Sequence, residues 1–129
     1  MRIFKNKWFS RFARRQGIED QDLCEAMDRA ERGLIDADLG GGVIKQRIAR
    51  PNEGKSGGFR SVVIFRAGAR AFFVYGFPKS DRSNIRSDEL TGFKELAAVM
   101  LAYTDQQLKT AIETDALTEV TCYEQDLSQ

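Results

Sequence analysis

The sequence predicts a single α+β domain, with two N-terminal helices packed on a small antiparallel sheet and further helices at the C-terminal end. Three observations carry that expectation. Apolar residues recur at helical spacing in residues 7–32 and again in residues 91–112. Between them, residues 43–86 hold three runs rich in β-branched and aromatic side chains, separated by glycine-containing turns. A chain of 129 residues, 42% hydrophobic and 30% charged, is long enough to bury one core without staples.

Residues 2–5 (RIFK) suit a short strand. From Lys7 the period becomes helical, with Trp8, Phe9 and Phe12 on one face and Lys7, Arg11, Arg14 and Arg15 on a basic one. Gly17 is a C-terminal stop. Acids at Glu19, Asp20 and Asp22 favour a new helix start, and Leu23, Met27 and Ala30 continue the pattern until Gly33. The pair reads as a helical hairpin resting on the sheet through Trp8, Phe9, Phe12, Leu23 and Met27. Residues 35–42 (IDADLGGG) read as a linker whose glycines allow a sharp turn. Strands follow at 43–49, 59–66 and 70–77, with Arg50-Pro51 ending the first, Ala67-Gly68 turning the second into the third, and Pro78 closing the set. Asp88 or Thr91 is the expected cap of a helix bearing Phe93, Leu96, Ala97, Met100 and Leu101. Thr104 starts a shorter helix with Leu108, Ala111 and Ile112. Residues 115–129 read as a flexible acidic tail.

Charge is distributed unevenly along a nearly neutral chain. Residues 43–86 carry ten Lys/Arg and two acids, whereas residues 87–129 carry two Lys/Arg and nine acids, for a total of +1. A dense basic sheet is the footprint of a polyanionic partner. Lys45 and Arg47 share one face of the first long strand, Arg60 opens the next, and Lys79 and Arg82 follow the third. In an antiparallel meander Arg60 converges with Lys79 and Arg82. Solvated edge cations that block aggregation are the plain alternative for any one of them, and a weaker one for the whole set. The acidic third reads either as solvated helix faces or as an internal electrostatic partner of the sheet. In the second case Asp115, Glu119, Glu124 and Asp126 would compete weakly for the basic face.

Several function classes are disfavoured. There is no histidine, so no His-dependent mechanism is open. Cys24 and Cys122 lack metal-ligand spacing, and Cys24 reads as a small buried residue in the manner of a free cysteine. No apolar run is long enough to span a bilayer and no signal peptide is evident, so a cytoplasmic location is expected, with no membrane partner. Gly54-Lys55-Ser56-Gly57 looks like the end of a phosphate-binding loop. It lacks the glycine four residues before the Gly-Lys pair, and a strand rather than a helix follows. The glycines instead let a loop bring Lys55 towards the sheet. Tyr75 alternates with Phe73 and Phe77 and reads as core, although its hydroxyl requires a partner that a site could supply. Trp8 reads as packing rather than as a base-stacking surface.

The order VIKQRIARPNEGKSGGFRSVVIFRAGARAFFVYGFPKSDRSNI, followed by ELTGFKELA, resembles RelE/ParE-type toxins. More narrowly it is similar to the RelE/HigB-like branch, with its basic strand, GK-x-GG-[FY]-R turn, FF-x-YGF strand and K-x-x-R-x-NI exit. The likeness is close over residues 43 to about 101. It implies a RelE-like α+β fold and a bacterial toxin restrained by a cognate antitoxin, a small helix-turn-helix protein from a neighbouring gene. The implied activity is an endoribonuclease acting on mRNA, usually in the ribosomal A site, with no cofactor or metal. The implied catalytic positions are Arg47, Lys55, Arg60, Lys79 and Arg82, with Lys45, Arg50 and Tyr75 as further nucleic-acid contacts. The missing histidine departs from relatives that use one as acid or base. ParE-type relatives poison gyrase instead, so a gyrase inhibitor or a non-catalytic binding module is the alternative.

Overall fold

The computed structural model describes residues 1–49, 58–81 and 84–123. Its ten elements run β1 (Arg2–Asn6), α1 (Lys7–Gln16), α2 (Asp20–Glu31), β2 (Ala37–Gly40), β3 (Val43–Ile48), β4 (Phe59–Arg66), β5 (Arg70–Pro78), α3 (Ser87–Met100), α4 (Asp105–Glu113) and β6 (Leu117–Val120). One six-stranded sheet takes the order β2-β3-β4-β5-β1-β6. The expected α+β architecture is present, with α1 and α2 on one face and α3 and α4 on the other. The sheet is mixed: β1 enters parallel to β5, and every other pairing is antiparallel.

Period-two alternation divides the core. Ile44, Ile48, Phe59, Val63 and Phe73 face α1 and α2, where Phe9, Phe12, Leu23, Met27 and Ala30 meet them. Val43, Val62, Ile64 and Phe72 face α3 and α4, against Ala97, Met100 and Leu108. Phe4 joins this second layer and stacks on its register partner Phe72, with ring centroids 5.1 Å apart. Asn6 ends β1 and starts α1. Its side-chain oxygen accepts from the Phe9 N–H at 2.8 Å, and its amide donates to the Val74 carbonyl at 3.2 Å. Gly17 closes α1 in the left-handed conformation, φ 71°.

Gln46 is fully buried and fully used. Its amide donates to the Ala26 and Leu34 carbonyls, each at 3.0 Å, and its oxygen accepts from the Asp36 N–H at 3.1 Å. The Ser61 hydroxyl donates to the Gln46 carbonyl at 2.7 Å. One polar side chain thus joins α2, the segment after it and β3, at the position between Lys45 and Arg47.

Four expectations are corrected. The linker at 35–42 contains an edge strand, because Ala37 and Asp38 pair with Lys45 and Ile44. Its glycines form the tight β2–β3 turn; Gly42 has φ 83°, and a Cβ there would lie 2.7 Å from Leu101. The helix α3 begins at Ser87, where the Glu89 carboxylate accepts from the Arg86 N–H at 2.7 Å, so neither Asp88 nor Thr91 is the cap. The tail is not free from residue 115. Residues 117–120 form β6 on the outer edge of β1, with Leu117 and Val120 buried. Glu119 is bound there by the Arg2 guanidinium at 2.8 and 2.9 Å, which holds its carboxyl below the usual glutamate range. This edge lies four strands from β3, so Glu119 does not cover the basic face. Glu124 and Asp126 lie outside the described residues.

The cysteines are the fourth correction. Cys24 on α2 and Cys122 just after β6 form a disulfide across a sequence separation of 98. Spacing alone hid the pair, because β6 brings the chain end back beside α2 only once the sheet is complete. No helix among the described residues is long and apolar enough to cross a membrane. Closing so long a loop is worth about 3–5 kcal/mol. Reduction, or Cys122→Ser, is therefore expected to lower the guanidinium unfolding midpoint by that equivalent and to speed amide exchange in β6. Identical midpoints with and without reductant would contradict it.

Candidate nucleic-acid interface

The basic residues are presented by β3, β4 and β5 on the sheet face shared with α3. Register sets them in two rungs. Lys45, Val62 and Tyr75 stand side by side across the three strands, and Arg47, Arg60 and Phe77 form the next rung. Both rungs take their β5 residue from beyond a bulge. Val62 opposes Tyr75 whereas Val63 opposes Phe73, leaving Val74 as the extra residue. Below the bulge Phe73 points towards α1. Above it, Gly76 takes that side, and Tyr75 and Phe77 turn to the cations. A Cβ at Gly76 would lie 2.7 Å from Phe12 and 3.1 Å from Phe9, so only glycine fits there. The simple alternation of Phe73, Tyr75 and Phe77 expected from sequence is thus broken.

Arg47 and Arg60 are direct register partners, two like charges on neighbouring strands. Both are half-buried. The Arg47 Nε is shielded from solvent and has no hydrogen-bond partner among the described residues. Next to it, Gly58 packs so closely that a Cβ would lie 2.7 Å from the Ile48 carbonyl and 3.4 Å from Arg47 Nε. The Arg29 guanidinium donates to the Arg47 carbonyl at 2.6 Å, which ties this part of β3 to α2. Arg60 reaches across β3 to Asp36, 3.8 Å away, a loose contact on a partly exposed carboxylate.

Lys45 donates to the Asn84 side chain at 3.2 Å. Lys79 is exposed, and its backbone N–H donates to the Gly58 carbonyl at 3.3 Å, which sets it at the end of β5 beside the start of β4. The expected convergence of Arg60 with Lys79 and Arg82 is seen only as this backbone contact, two residues before Arg60 in the chain. Arg50, Lys55 and Arg82 lie outside the described residues.

Tyr75 sits in a run of rings, 4.6 Å from Trp8 and 5.7 Å from Phe93 by centroid, with Phe77 at 6.2 Å. Trp8 in turn stacks on Phe12 at 5.3 Å. The packing reading of Trp8 holds, since it contacts Phe12 and Tyr75 and packs against the core layer beneath α1. Tyr75 closes the site's inner wall between α1 and α3. Asp36 and Asn84 are the site neighbours that sequence reasoning missed. Asp36 belonged to the supposed linker, and Asn84 stood in the quoted exit motif without a role. Among the described residues no group of three His, Cys, Asp or Glu is placed to hold a metal ion.

A cationic patch on a sheet backed by two N-terminal helices agrees with the α+β fold that the resemblance implied, although the sheet is mixed where an antiparallel one was expected. The sequence matches the family described as RelE toxin of the RelE/RelB toxin-antitoxin system over residues 1–120. The chain belongs to the RelE toxin family. No curated protein matches it significantly. The family match reaches well past the 43–101 segment on which the resemblance rested and takes in β6, the strand that had been read as tail. In this RelE-family chain the patch is built at a cost to the fold, because like charges oppose one another across β3 and β4. Arg47→Met should therefore raise unfolding free energy by about 0.5–1 kcal/mol while weakening RNA binding. Chemical denaturation and RNA titration of the same preparation check it; a less stable variant with undiminished binding would contradict the assignment.

Proposed function

We propose that this RelE-family toxin is a metal-independent endoribonuclease that cuts mRNA, engages it on the ribosome in the cytoplasm, and is held inactive by its cognate antitoxin. The observation that carries the reading is the facing pair Arg47 and Arg60, which nothing in the described fold neutralises beyond the loose contact to Asp36. Two guanidinium groups side by side suit a phosphate with bidentate geometry.

The chemistry asks for three things. The 2′-hydroxyl of one nucleotide attacks the adjacent phosphorus, its proton leaves to a base, and the 5′-oxygen departs with a proton from an acid. Negative charge grows on the non-bridging oxygens as the phosphorane forms. Arg47 and Arg60 supply fixed positive charge there, in a half-buried setting where it counts for more than in water. In this reading Lys79, whose backbone lies beside Gly58 at the start of β4, exchanges a proton with the reacting oxygens, and Lys55 and Arg82 complete the set on sequence grounds. Lys45 and Arg50 hold the flanking phosphates. Tyr75, in ring contact with Trp8 and Phe93, bounds the same face and in this reading limits where the strand can lie.

Arg60→Ala combined with Lys79→Ala is expected to lower RNA cleavage by at least about a hundredfold, the scale of losing charge stabilisation and proton transfer together. Growth arrest on expression should disappear while the circular dichroism and melting curve stay near wild type. Full toxicity in a folded double variant would count against this site, and cleavage that stops in a chelator would count against the metal-independent route.

A further inference from the structure

A second basic surface lies on α1, which packs against the opposite face of the sheet. On α1, Lys7, Arg11, Arg14 and Arg15 are all exposed. At 100° per residue they fall within an arc of about 100° and along about 12 Å of axis, opposite the buried Phe9, Phe12 and Ala13. The helix contains no acid, and among the described residues none of the four cations forms an ion pair or side-chain hydrogen bond. The other helices mix their signs: Asp28 pairs with Arg32 at the end of α2, α3 carries Lys94 beside Glu95, and α4 places Lys109 four residues before Glu113.

Fold stability does not account for the stripe. Lys7–Arg11, Arg11–Arg15 and Arg11–Arg14 are like-charged neighbours at i,i+4 and i,i+3, each costing about 0.2–0.5 kcal/mol. Arg14 and Arg15 gain from the negative end of the helix dipole, but Lys7 stands in the first turn, where a cation is disfavoured. A lipid surface is a poor fit, because the apolar face such a helix would insert is already buried in the core. The stripe also has no free aromatic ring. Trp8, the ring next to it in sequence, is half-buried and packed against Phe12 and Tyr75. Proteins that grip single strands stack unpaired bases, whereas paired RNA is held through its phosphates and sugars.

We infer that the α1 stripe binds the phosphate backbone of base-paired RNA, independently of the β3–β5 face. The two surfaces lie mainly on opposite sides of the sheet, since α1 packs on the Phe73 side and the rungs lie on the Val62 side, and they approach each other where Trp8 meets Tyr75. One molecule can therefore hold a duplex on one side while a single strand occupies the other. The contact reads no sequence and is strongly salt-dependent.

The test uses the full chain with Lys7→Gln, Arg11→Gln, Arg14→Gln and Arg15→Gln together, and the Lys7→Gln/Arg11→Gln double variant beside it. Binding to a blunt mixed-sequence RNA duplex is titrated from 50 to 300 mM salt. At about 0.9 per neutralised phosphate, the log–log salt slope of the quadruple variant should be shallower by about three to four, and that of the double variant by about half as much. Cleavage of a short unstructured RNA should stay at the wild-type rate, while Arg60→Ala/Lys79→Ala should still bind the duplex. Failure of the cleavage reading is thus separable from failure of this one. An unchanged slope in both folded stripe variants would overturn the inference. So would wild-type protein that prefers polyglutamate to the duplex through these same residues, which would make the stripe a contact for an acidic protein.

Discussion

Asn6 does two jobs on which the working face of the sheet depends. Its oxygen caps α1 and its amide holds the carbonyl of Val74, the extra residue of the β5 bulge. Strand periodicity admits no partial shifts: adding one residue exchanges the two faces for everything beyond it. Below the bulge β5 sends Phe73 to the α1 layer. Above it, Gly76 lies flat under Phe9 and Phe12, and Tyr75 and Phe77 turn to the side of Lys45, Arg47 and Arg60. The start of α1 and the bulge that turns Tyr75 and Phe77 to the basic face are thus joined by one side chain at the end of β1.

The patch is half-buried for a related reason. Helix α3 packs over Val43, Ile64 and Phe72 through Ala97 and Met100, and this covers one end of the sheet face. Beyond Val62 the same face carries cations, and Phe93 marks the boundary by leaning on Tyr75. On the reverse side Gln46 ties β3 to the Ala26 carbonyl of α2 and to the Leu34 carbonyl and Asp36 N–H of the segment after it. Lys45 and Arg47 therefore project from a strand whose opposite side is fixed, the rigid mounting that the proposed phosphate contact would need. The opposed arginines are tolerated because packing behind them is secure.

Much of this was legible in the sequence, and the losses share a cause. Helix periods, the Gly17 stop, the three long strands and the placing of Lys45 and Arg47 opposite Ile44 and Ile48 follow from local pattern. What local pattern cannot show is the arrival of a partner from far along the chain. Ala37 and Asp38 became a strand because β3 offered them an edge; Leu117 to Val120 did so because β1 did; and Cys122 met Cys24 because β6 ended beside α2. The bulge left one trace, a glycine inside an aromatic strand, which is a known mark of close backbone approach. Asp36 beside Arg60 left none, since its position follows from the Gln46 hydrogen bond to its backbone.

The central claim is that the facing guanidinium groups of β3 and β4 act on mRNA. Mapping the 5′ ends of cellular transcripts within minutes of induction tests it most directly, with wild-type protein compared to a chain lacking the Arg60 side chain. The account predicts new ends at fixed positions within codons of translated messages, present for wild type and absent for the variant. Intact messages accompanied by a DNA-damage response would contradict it and direct attention to gyrase.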